Sequence, residues 1–168
     1  MSTLGMVHLA FALTALSAGT IVIATRKGTR YHRTFGHVYF TSNLAVNATA
    51  LLIYNLTGRF NFFHVSALFS LAFTLLGMVP VITRRPRLHW LELHARFVTG
   101  SYVGIVAAAA AEVATRVPGW NFGAAAGITS LVVLLAGMYL IATRTPATID
   151  RLHHGRRVID PKTGRATG

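Results

Sequence analysis

Four histidines fall near the ends of long apolar runs, one to a run: His8, His37, His64 and His94. An ionisable side chain in a segment that otherwise suits hydrocarbon is costly, and is found where it is paired or put to use. If the runs cross a bilayer in alternating directions, His8 and His64 lie near one face and His37 and His94 near the other. Each leaflet then holds two imidazoles on different helices, and two chemistries follow. A b-type haem takes two imidazoles from facing helices, and two such haems stacked across a bundle would pass electrons between leaflets. Ala12, Ala15 and Gly19 share the helical face of His8 and offer a flat strip for a porphyrin. Alternatively Glu112, at a depth similar to His8 and His64, completes a His/His/Glu set with an open position, which suits Zn or Fe(II). A plainer role stands beside both: each histidine is an interfacial residue bonded to a backbone carbonyl or head group, and Glu112 pairs with Arg116 one turn later.

Further polar residues cluster around these positions. The second run carries Asn43, Asn47, Tyr54 and Asn55. Asn43, Asn47 and Tyr54 share one face and suit interhelical hydrogen bonds, whereas Asn55 could reach the outer histidines and orient an imidazole. His94 and Glu112 lie on one stripe about five turns, or roughly 27 Å, apart, with Ser101, Ile105 and Ala108 between them. Such a stripe turns to the bundle interior. On the basic side His32, Arg33 and His89 could meet lipid phosphate or quinone head groups, and Trp90 suits an interface anchor.

The elements that must position these groups are five apolar stretches, 4–24, 37–56, 62–83, 95–115 and 122–143, each roughly the 20 residues a membrane helix needs. With 53% hydrophobic residues, the 168-residue chain falls in the membrane class. Its net charge of +12 sits between the apolar runs, where membrane topology explains it better than nucleic acid does. Arg26, Lys27, Arg30 and Arg33, then Arg84, Arg85, Arg87 and Arg96, then the tail, fall on one side. That bias puts the N-terminus outside and the C-terminus in the cytoplasm. The first stretch has its basic cluster behind it rather than ahead, so it reads as a retained helix and not as a signal peptide. Short Gly- and Pro-marked loops imply antiparallel neighbours in an all-α bundle, followed by a basic, partly disordered tail over 144–168 near anionic lipid. Gly100 and Gly104, the alanines of 107–111, and Gly123 and Gly127 allow close backbone approach. Internal packing accounts for them ahead of a homodimer. Without cysteine there is no disulfide, thiolate metal site, Fe–S cluster or c-type haem. Zinc-protease, Walker, nucleophile-elbow and dinucleotide signatures are also absent.

The run Lys27-Gly28-x-x-x-His32-Arg33-x-x-Gly36-x-x-Tyr39 resembles the bacterial predicted membrane proteins grouped as domain of unknown function 2306. Phe60 to His64, and Trp90, His94, Ser101, Tyr102, Glu112 and Arg116, are similar as well. The likeness covers most of 5–116. It implies a multi-helix protein of the bacterial inner membrane and marks residues without assigning chemistry. The paired histidines also resemble the layout of two-haem membrane cytochromes, including the b561 type, although those commonly place two histidines on one helix and each helix here has one. Three readings follow: a b-type haem electron-transfer protein with a quinone or protein redox partner, a metal-binding protein or metalloenzyme using His8, His64 and Glu112, or a structural or accessory subunit.

Overall fold

The computed structural model describes residues 2–54 and 58–157, the side chains of 152–157 excepted. Its helices begin where the sequence supplies caps. Ser2 accepts the Gly5 amide and starts α1, Thr3–Ala24; Thr29 accepts the His32 amide and starts α2, Arg30–Leu52. Asn61 accepts the Phe63 amide and starts α3, Phe62–Thr83, in a capping box whose second partner is His64. Such caps satisfy amides that have no carbonyl inside the helix. At the end of α1, Lys27 Nζ donates to the carbonyls of Val22 and Ile23, both at 2.8 Å. The cation thereby meets the negative end of the helix dipole. Helices α4, Trp90–Ala114, and α5, Phe122–Arg157, complete an all-helical chain.

Consecutive helices pack as antiparallel neighbours, and α1 also meets α4. Near the start of α1, His8 touches Thr49 near the end of α2, while His94 at the start of α4 touches Gly77 near the end of α3. Four helices, α1, α3, α4 and α5, are long and apolar enough to cross a membrane. Helix α2 falls short of that measure because Arg30, His32, Arg33, Asn43 and Asn47 dilute its apolar character. Its two asparagines are buried, and Asn43 donates to Thr74 Oγ1 at 2.7 Å and reaches Tyr39, whose hydroxyl pairs with Ser101 at 2.7 Å. These bonds tie α2 to α3 and α4 in the way expected where hydrocarbon cannot solvate an amide.

The strip expected to flank a porphyrin is packed shut. Ala15 is completely buried in a cluster with Ala18, Tyr39, Val46 and Ile105, and a Cβ added at Gly19 would collide with the Tyr102 ring. Small residues here admit aromatic neighbours from α2 and α4. Gly100 likewise lies against Phe73, which is internal packing, and at Gly104 and Gly127 a Cβ would meet nothing within 4 Å. Helix α5 runs 36 residues, past the expected boundary at 143. At roughly 54 Å it exceeds the roughly 30 Å hydrocarbon core, so the first part of the tail is helical through Arg157. Residues 158–168 lie outside the described residues.

Candidate functional site

The end of the bundle holding the N-termini of α1 and α3 contains His8, His64 and Glu112, and each has its own local partner. His64 is 1% exposed. Its Nδ1 accepts the Asn61 amide at 3.2 Å, so the neutral ring carries its proton on Nε2. Rings of Tyr54 and Phe60 lie 4.6 and 4.9 Å from it. A ring so committed caps α3 and offers no lone pair to a metal. His8 Nδ1 meets Thr49 Oγ1 at 2.8 Å, and since that hydroxyl already donates to the Ala45 carbonyl, His8 is the donor. Glu112 pairs with Arg116 at 2.7 Å, the ion pair expected from their spacing. Among the described residues no three His, Asp or Glu side chains group to hold a metal ion. Asn55 lies outside the described residues.

At the opposite, basic end the two histidine-bearing helices open on a cavity of about 650 Å³ between α1, α2, α3, α4 and the extension of α5. His32, His37 and His94 all line it. His37 Nδ1 donates to the Arg33 carbonyl at 2.7 Å and His94 Nδ1 to the Gly77 carbonyl at 2.9 Å, which leaves Nε2 of each ring as an acceptor. The His32 ring is backed by the Val22 carbonyl, and its Nδ1 is buried without a hydrogen-bond partner. Burial first, and then the charge of Lys27, hold His32 below the ordinary histidine value. Burial likewise holds Lys27 below the usual lysine value. Among the described residues, every charged side chain other than histidine on the wall is a cation: Arg26, Lys27, Arg33, Arg84 and Arg151. Arg84 stacks on Trp90, 4.3 Å from the ring centroid. Much of the rest of the wall is apolar or aromatic, with Val22, Ile23, Phe40, Met78, Val81 and Val98, beside Thr74, Thr99 and Thr148, and it includes Tyr102, whose hydroxyl pairs with Thr20 at 2.6 Å.

A family model described as Predicted membrane protein (DUF2306) matches residues 5–145. The chain belongs to this family. No curated protein and no solved structure matches it. It is a membrane protein, and four of its helices are long and apolar enough to cross the bilayer. The residues on which the DUF2306 resemblance was read, Lys27, Gly28, His32, Arg33, Gly36 and Tyr39, are wall residues of the basic cavity, as are Trp90, His94 and Tyr102.

The structure thus brings His37 and His94 to one cavity and adds His32 and Arg33 to it, while His89 stays outside, exposed and beside Glu92. The sequence reading did not find the convergence of Lys27, Arg84 and Arg151. Membrane topology already explained their charge, and nothing in their spacing says that three separate segments fold over one opening.

Proposed function

We propose that this protein binds an anionic amphiphile, a molecule with an acidic head and an apolar body, in the cavity at its basic end. One observation carries the reading: the cavity wall combines apolar and aromatic side chains with Arg26, Lys27, Arg33, Arg84 and Arg151 and has no Asp or Glu among its described residues. Cations around a partly apolar chamber attract an anion from the membrane surface, and the apolar part of the wall holds its hydrocarbon part. By the positive-inside rule this end faces the cytoplasm, so the ligand enters from the inner leaflet of the cell membrane. Purified protein in phosphatidylcholine micelles titrated with an anionic phospholipid should saturate at one lipid per chain. Replacing Arg26 and Arg84 together by Gln should weaken binding at least tenfold. Equal binding of phosphatidylcholine and anionic lipid would remove the reading.

A second reading, a b-type haem carried by His37 and His94, is favoured by their hydrogen bonds. Each ring commits Nδ1–H to a carbonyl and leaves Nε2 for a ligand bond, the usual arrangement of a ligating histidine. A haem is itself a flat apolar body with two carboxylates. Protein from haem-replete cells should then show a Soret band that shifts on dithionite reduction and is lost in His94→Ala. Colourless protein contradicts this reading and leaves the first intact.

A further inference from the structure

Resting on the anionic-amphiphile reading, we infer that the bound head group carries an alcohol hydroxyl beside its acidic group, and that this hydroxyl donates to Nε2 of His94. The site is built on the start of α4. Trp90 and His94 are four residues apart and share one helical face, with Cβ atoms roughly 5 to 6 Å apart. Both line the cavity. Arg84 is stacked on the Trp90 ring, 4.3 Å from its centroid, which orders the guanidinium and leaves its N–H groups for a ligand. Its charge lies close enough to be felt at the His94 ring. A fork of donors and an imidazole therefore stand side by side on one wall.

His94 is the acceptor of this pair. Its Nδ1 donates to the Gly77 carbonyl at 2.9 Å, so in the neutral ring Nε2 presents a lone pair. Among the described residues nothing donates to that nitrogen, and unlike Nδ1 of His32 it is not sealed from solvent. His37 repeats the arrangement from α2, because its Nδ1 is spent on the Arg33 carbonyl and the residue is exposed on the cavity wall. The wall asks for anionic oxygens at its guanidinium groups and for a donor at its imidazoles. An ionised carboxylate or phosphodiester has acceptors only, so the donor belongs to another group of the same head. An ammonium would donate, but it would enter beside Arg84 and four further cations with no carboxylate on the described wall to balance it. A hydroxyl carries no such cost. In lipid terms the ligand is a phosphodiester of a polyol, with its phosphate on Arg84 and its hydroxyls on His94 and His37. The apolar part of the wall argues for a lipid rather than a soluble ester.

The test compares three probes on the full chain in dodecyl maltoside, read by Trp90 fluorescence with Trp120 replaced by Phe. The probes are dioleoyl phosphatidylglycerol, dioleoyl phosphatidylpropanol, which has the same charge and head-group length without hydroxyls, and soluble glycerophosphoglycerol. Phosphatidylglycerol should bind about fivefold tighter than phosphatidylpropanol or more, the scale of one or two hydrogen bonds. His94→Asn puts an amide N–H where Nδ1–H meets Gly77 and leaves nothing at the place of Nε2. It should bring the two lipids within about twofold, chiefly by weakening phosphatidylglycerol. His94→Gln, which can return an amide oxygen to that place, should retain part of the preference. Glycerophosphoglycerol at equal concentration should not displace phosphatidylglycerol. Equal binding of the two lipids to the unaltered site, or an unchanged preference in His94→Asn, overturns the hydroxyl assignment and leaves the parent reading standing. Displacement by glycerophosphoglycerol overturns the lipid source. Failure of both lipids to bind removes the parent reading itself.

Discussion

A histidine that accepts a hydrogen bond and one that donates it are different reagents, and the chain holds both kinds. His64 accepts the Asn61 amide and so serves the start of α3. Replacing it with Ala should cost about 1 kcal/mol of stability, the usual scale for a lost cap. Thermal unfolding in detergent checks this, with lipid binding unchanged. His32 makes a prediction about pH. Its folded pKa lies below the ordinary 6.5 because of burial and Lys27, so between those two values the unfolded chain binds the proton more readily. Stability of the lipid-free protein is therefore full above about pH 6.5 and falls as pH drops toward the lowered value. A melting series from pH 7.5 to 5 should show this decline, and His32→Asn should lessen it. At Gly19 any side chain meets the Tyr102 ring. Gly19→Leu should destabilise by roughly 1 to 3 kcal/mol through overpacking. That glycine was read from the sequence as room for a porphyrin. Smallness is visible in a sequence, but which partner fills the space is not, because Tyr102 arrives from α4, far along the chain.

At the scale of elements, hydropathy and charge located the helices well, since a bilayer demands long apolar runs and leaves few alternatives. The starts of α1 and α3 and the antiparallel order follow from caps and short loops. Two features were not legible. Helix α2 begins at Arg30, seven residues ahead of the expected span, because the Thr29 cap and not hydropathy sets its start. That extra length brings His32 and Arg33 onto the same wall as His37. Helix α5 continues to Arg157, since nothing in residues 144–157 forbids a helix apart from Pro146, which it contains. Its extension lays Thr148, Ile149 and Arg151 across the cavity. A chain ended after Thr143 should keep its fold and release bound anionic lipid faster, by about threefold or more in off-rate. An unchanged off-rate would show that the extension does not cover the opening.

For the whole molecule, the distribution of function follows the distribution of charge. Local hydrogen bonds and an ion pair engage His8, His64 and Glu112 at one end, whereas the other end gathers cations and three histidines around a chamber. The sequence paired His8 with His64 and His37 with His94 by depth alone. It could not separate a ring that caps a helix from one that faces a cavity, because both look alike until the neighbouring backbone is in place. The account also requires the basic end to face the cytoplasm. Since the chain has no cysteine, single cysteines placed at Arg85 and Gly119 should be shielded from and open to a membrane-impermeant maleimide in whole cells, respectively. The most direct test of the central claim is native mass spectrometry of the protein released gently from its own membrane. The account predicts one retained anionic lipid per chain, lost when Arg26 and Arg84 are both replaced by Gln. Retention of only zwitterionic lipid, or of an anionic lipid that the double replacement leaves in place, would contradict it.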